Sequence, residues 1–175
     1  IFTGFLDTSV GLFASRKAFV YVRGNHETRG AYARNFFRYL AGPEGKFYYA
    51  FTYGPIRFIV LDSGEDKPDT DVEYSGLVEF DNYILEQKEW LARELESPEF
   101  RAASFRVVLS HIPFGKGSWY GSERLRKQLL PLLESVRIDL MLSGHNHAFG
   151  FMDKGKVTAF PIVVNSNNSV LTMFG

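Results

Sequence analysis

The chain has 175 residues, with 20 basic and 20 acidic side chains and no cysteine. Zero net charge gives no long-range field to draw it to nucleic acid or an anionic membrane, and the missing cysteines exclude disulfides, thiolate metal ligands and a thiol nucleophile. The length suits one domain with a substantial core, no apolar run approaches the ~20 residues that span a bilayer, and no secretory leader is visible.

In chain order, Phe2, Phe5, Leu6, Val10 and Phe13 follow a near-helical spacing that Gly4 and Gly11 weaken. Phe19-Val20-Tyr21-Val22 reads as a buried strand, and Gly24-Asn25-His26-Glu27 as the loop after it. Ala33, Phe36, Phe37 and Leu40 share one helix face, stopped by Gly42-Pro43. Two aromatic and β-branched runs, Phe47 to Tyr53 and Ile56 to Leu61, flank Gly54-Pro55 and predict a hairpin. Asp62 to Ser75 is acidic, holds Gly64 and Pro68, and reads as a long exposed loop, either functional or a solvated connection.

Phe80, Ile84, Leu91 and Leu95 stripe a second helix, with Lys88 on the same stripe, and Ser97-Pro98 ends it. Phe105 to Leu109 is a nearly all-apolar strand of the kind covered on both faces. Leu125, Leu129, Leu132, Leu133 and Val136 predict a third amphipathic helix, and Ile138 to Leu142 another buried strand. Short β-like runs follow at 148–151, 161–164 and 170–174. Strands alternating with helices, then strands alone, predict layered sheets with helices outside.

The four histidines all lie just past apolar, strand-like runs. His26 stands in Gly24-Asn25-His26-Glu27, His111 in Ser110-His111-Ile112-Pro113, and His145 and His147 in Gly144-His145-Asn146-His147. Ligands collect at the carboxyl ends of strands in open α/β sheets, and neutral imidazole is the commonest protein metal ligand. The pattern therefore predicts one site built from three converging loops, with Gly144 allowing a sharp turn. Asn25 adds a neutral carbonyl oxygen, and a nitrogen and oxygen donor set suits Mn, Fe, Co, Ni or Zn better than Ca or Mg.

These segments resemble the last three of the five sequence blocks of calcineurin-like metallophosphoesterases, and the Glu after the first histidine is similar to the purple-acid-phosphatase branch. The resemblance implies an α/β fold: a metallophosphoesterase-type β-sandwich of two sheets flanked by helices, forming a single partial domain over 1–175. It implies a phosphoesterase that hydrolyses phosphomonoesters or phosphodiesters through a dinuclear metal-activated hydroxide. Two divalent transition metals (Mn, Fe or Zn) would serve the full-length protein. Asn25, His111 and His145 would hold the second metal and His147 the first, while His26 would contact phosphate and protonate the leaving oxygen. By general metal-site logic Glu27 would orient a histidine. The partner is a phosphate ester, with no nucleic acid and no membrane segment expected, and an extracytoplasmic compartment is favoured.

The family's first two blocks, Asp-x-His and Gly-Asp-x-x-Asn (or Tyr), are absent; Asp7-Thr8 and Asp62-Ser63 do not fit them. The chain opens on Ile1, so the expectation is a fragment truncated at its N-terminus, binding one metal weakly and hydrolysing little. The alternative is a degenerate, non-catalytic metal-binding module. Arg29, Trp119 and Tyr120 are further substrate-binding candidates, Arg29 for a phosphate oxygen and the two aromatics as cleft walls. Asn167-Asn168-Ser169 fits a glycosylation acceptor.

Overall fold

The computed structural model describes residues 4, 6–40, 42–115 and 117–165. The N-terminal helical turn comprises α1 (Asp7–Ser9), which widens into a π-helix at Val10–Ala14. After it the chain runs through 3-10 turns at Asn25–Thr28 and Ala33–Asn35 to α2 (Phe37–Leu40). A hairpin follows, β1 (Tyr49–Tyr53) and β2 (Ile56–Leu61), in which Gly54 takes φ 56°. Next come α3 (Phe80–Leu95), α4 (Pro98–Ala102) and β3 (Phe105–Ser110). The remaining elements are α5 (Tyr120–Gln128), α6 (Leu130–Glu134), β4 (Leu140–Ser143), β5 (Gly150–Met152) and β6 (Ile162–Val164).

The strands form one mixed six-stranded sheet in the order β1-β2-β3-β4-β6-β5. β2, β3, β4 and β6 run parallel, and antiparallel β1 and β5 close the edges. One face buries Ile59, Leu61, Val108, Met141, Ile162 and Val164 against Ile84, Leu91, Leu95, Phe100, Leu125 and Leu133 of the helices. Each such side chain contributes roughly 1.5–3 kcal/mol on leaving water. The architecture is the α/β sheet with flanking helices that the sequence predicts. The second sheet implied by the resemblance is not among the described residues. The 170–174 run and Asn167-Asn168-Ser169 lie outside them.

Four local expectations change. Among the described residues Phe19–Val22 belongs to no ladder of the sheet, and its rings join an aromatic chain from Phe13 through Phe19 and Tyr21 to Phe36 and Phe47. The helix expected from Ala33 to Leu40 breaks into a 3-10 turn and four α-helical residues. Only a short stretch lies between Gly30, with φ 85°, and Gly42-Pro43, and helices that brief gain too few hydrogen bonds to repay nucleation. The helix expected across 125–136 divides at Pro131, whose ring removes a donor and clashes with the preceding turn. Finally, the loop expected to be exposed from Asp62 begins deep inside: Asp62, Ser63 and Glu65 are at most 1% exposed.

That burial has a stated cause. Gln87, a polar residue on the buried stripe of α3, receives the Asp62 amide proton at 2.8 Å and donates to the Asp62 carbonyl at 2.9 Å. A side-chain amide thus ends β2 with its peptide groups satisfied.

Candidate metal centre

The parallel register sets the site's frame. Leu61 lies opposite Ser110, and Ser110 opposite Ser143, so three parallel strands finish level with one another. The next residues, Asp62, His111 and Gly144, therefore leave the sheet together. The Gly144 amide donates to the His111 carbonyl at 3.0 Å, carrying the β3–β4 ladder one step into the loops. His145 and His147 then adopt φ 70° and 53°. The left-handed residues are the histidines themselves, and Gly144, expected to make the turn, is not among them. Such a conformation costs a non-glycine residue about 1–2 kcal/mol.

Asn25 arrives by another route. Gly24 donates its amide proton to the Glu27 carboxylate at 2.8 Å, and the Thr28 hydroxyl donates to the Asn25 carbonyl at 2.6 Å, closing the 3-10 turn. Glu27 thereby holds loop backbone rather than the histidine expected of it. Position 24 has no room for a side chain: a Cβ there would lie 2.5 Å from Glu27 Oε2 and 3.2 Å from His111 Cε1. Two ion pairs on buried carboxylates tie this turn down. Arg23, whose guanidinium lies 4.0 Å from the Phe47 ring centroid, pairs with Asp62, which also accepts from the Tyr83 hydroxyl at 2.8 Å. Glu65 accepts from Thr28, from Arg29 at 2.7 Å and from Tyr74 at 3.0 Å. Burial pushes the Glu65 carboxyl up, but those donors outweigh it and hold it below the usual carboxylate range.

Three lone-pair atoms converge. His111 Nε2 lies 3.1 Å from Asn25 Oδ1 and 3.3 Å from His145 Nδ1. Either ring can carry the proton of the His111–His145 contact; with the protons on His111 Nδ1 and His145 Nε2 instead, three lone pairs face one another. Ligands bonded at about 2.0–2.1 Å to one ion stand roughly 2.8–3.4 Å apart in octahedral or tetrahedral geometry, and both separations fall in that window. The donor chemistry therefore fits a divalent transition metal. Burial, then the nearby His145, His26 and His147, push the His111 imidazole down to about 4, with Asp62 opposing. Burial likewise pushes His145 down. Both rings are thus neutral and able to donate at neutral pH.

The other predicted residues are placed as follows. His26 and His147 are exposed beside the trio. Trp119 stands edge to ring with His145, centroids 4.9 Å apart. The Tyr120 hydroxyl bonds Asp81 at 2.8 Å. Arg29 grips Glu65 and Asp66, with Glu73 at 3.7 Å, so its guanidinium anchors the loop. Among the described residues no group of three His, Asp or Glu converges as a metal site, the third donor here being an amide. The sequence reading missed Arg23, Asp62 and Glu65. Asp62 carried a signal: it follows a buried strand just as His111 does.

The family model described as calcineurin-like phosphoesterase matches residues 3–149. The chain belongs to the calcineurin-like phosphoesterase family. This phosphoesterase-family chain is 25% identical to purple acid phosphatase 23 of Arabidopsis thaliana over 122 residues, 65% of the chain and 22% of that protein. It also resembles the solved structure of purple acid phosphatase PPD1 from yellow lupin (Lupinus luteus) seeds, with TM-score 0.46 and 19% identity over 71% of the chain. It spans 22% of the first relative and 24% of the second. Among the described residues, no helix of this family member is long and apolar enough to cross a membrane.

Proposed function

We propose that the chain supplies one metal's donor set, and the proton donor, of a metal-dependent phosphoesterase acting on phosphomonoesters or phosphodiesters. The observation that carries this is the convergence of Asn25 Oδ1, His111 Nε2 and His145 Nδ1 at 3.1 and 3.3 Å. Bound there, a divalent cation such as Zn, Mn or Fe would polarise a phosphoryl oxygen and lower the pKa of water, chemistry that a second cation reinforces in dinuclear sites.

The chain's own residues do the rest. Asn25 and the neutral imidazoles of His111 and His145 hold their lone pairs toward one point, with the ion-paired turn and the β3–β4 ladder fixing their spacing. His26, exposed next to Asn25, is free to meet phosphate and deliver a proton to the leaving oxygen. His147 extends from the same loop as His145 and would serve a second ion. The first two family blocks are absent from this sequence, so the chain by itself binds one ion and turns over slowly.

Isothermal titration with Zn2+ and Mn2+, followed by a colorimetric phosphatase assay, tests the reading. One site per chain and weak turnover are expected; absence of any divalent-ion binding at neutral pH sinks it. A non-catalytic metal-binding module is the second reading, favoured by the lack of a carboxylate in the trio. It gains if a longer form carrying both missing blocks binds metal yet leaves phosphate esters intact.

A further inference from the structure

The two ring nitrogens of His145 have different surroundings. Nδ1 stands 3.3 Å from His111 Nε2, inside the donor trio. Nε2 is buried, yet among the described residues it has no hydrogen-bond partner. For Nδ1 to give its lone pair to an ion, the ring's proton must sit on Nε2. A ligating imidazole ordinarily donates that second N–H to a carboxylate, a carbonyl or water, which fixes its tautomer and orientation. Here no oxygen of the described residues accepts it, and the atom is closed to solvent.

The neighbours that remain are aromatic. Among the described residues His145 makes ring contacts with His111, centroids 5.2 Å apart, and with Trp119, centroids 4.9 Å apart and planes at 85°. His111 meets the Nδ1 side, which leaves Trp119 to the other. A near-perpendicular pair at that separation sets the edge of one ring against the face of the other. With the imidazole as the edge, Nε2–H points into the indole π-cloud as an N–H···π contact.

Core packing does not account for Trp119, which is 54% exposed. Its loop is nonetheless pinned on both sides. Arg126 donates to the carbonyls of Gly115 and, at 2.6 Å, Gly117. The Gly121 amide donates to the Asp66 carbonyl at 3.0 Å, and the Tyr120 hydroxyl to Asp81 at 2.8 Å. The indole is thus anchored beside His145 without being buried.

We propose that Trp119 is a positioning residue for the metal: the His145 Nε2–H donates to its indole face, and this keeps the Nδ1 lone pair turned to the ion. The proposal rests on the metal reading above.

The test starts with the unmodified, metal-free chain at neutral pH. Long-range proton–nitrogen correlation spectra of its four imidazoles, with His145→Gln for assignment, report the tautomer. The His145 proton should lie on Nε2, and the carbon-bound protons flanking Nε2 should move upfield, shielded by the indole face. A proton on Nδ1, or the downfield shifts that mark an indole edge, overturns the positioning role and leaves the metal reading intact. Zinc titration calorimetry adds a second arm. Trp119→Leu keeps apolar bulk without a π-face; its zinc affinity should fall about tenfold, and the Nδ1–H tautomer should appear in its spectrum. Trp119→Phe retains a face and should stay within about threefold of the unmodified chain. Equal losses in both variants, or none in either, overturn the proposal. Should Trp119→Leu fail to fold, the spectra of the unmodified chain decide. Failure of the unmodified chain to take up zinc overturns both readings.

Discussion

Two of the three converging donors stand on the sheet and the third does not. His111 and His145 follow parallel neighbours whose register is set over several residue pairs and extended by the Gly144 amide. Asn25 sits in a 3-10 turn outside every ladder, held by Arg23–Asp62 and by the carboxylate of Glu65. Distributed backbone pairing tolerates the loss of any one side chain. A tether made of a few buried charges does not, because removing one partner strands the other in a poorly solvating interior. The same site is thus robust on one side and fragile on the other.

The sharpest break comes from the sheet side. His111→Ala removes the atom that both other donors face, so divalent-ion affinity should fall by roughly a thousandfold or more, about 4 kcal/mol, while the fold survives. Titration calorimetry with unchanged far-ultraviolet circular dichroism would show it; retained affinity would mean that the trio is not the site.

On the tethered side, Asp62→Ala leaves Arg23 buried and unpaired. We expect a loss of about 3–5 kcal/mol in urea denaturation, with weakened ion binding because the Asn25 turn loses its hold. A loss below about 1 kcal/mol would place the pair among those that stabilise little.

Acid should act through the sheet-borne imidazole. His111 titrates in the fold at about 4, against about 6.5 when unfolded. The unfolded chain therefore takes up its proton first as pH drops. Stability is full above about pH 6.5 and is lost on the way to 4, on the order of 3 kcal/mol in the metal-free chain. Denaturation curves at several pH values should show this slope in the unmodified chain, and His111→Gln should flatten it. Equal slopes would remove His111 as the cause.

The smallest effect concerns the backbone. His147, at φ 53°, should become glycine with a gain near 1 kcal/mol, visible as a raised midpoint in thermal unfolding. A drop in that midpoint would locate the loop's energy in the His147 side chain.

This contrast also explains what could be read in advance. Strand-like runs ending in His111 and in Gly144-His145 are local signals, and the ladder turns them directly into proximity. Leu125 to Val136 shows a local signal overruled: the apolar spacing is helical throughout, but Pro131 divides it. Phe19 to Val22 has the composition of a strand, and among the described residues no ladder includes it; which neighbour a strand pairs with is not written in its composition. The tether was hidden for a related reason. Arg23 and Asp62 are 39 positions apart, and Thr28 and Glu65 are 37; an acidic loop looks solvated until folding brings Gln87 and the arginines to it.

Position 24 carries a consequence for how such a chain can vary. The volume a methyl group would need there is already taken by the Glu27 carboxylate and the edge of the His111 ring. Drift at that codon is consequently coupled to two others, one three codons on and one far downstream. A lineage that exchanges this glycine for any other residue must also have moved its glutamate or its imidazole.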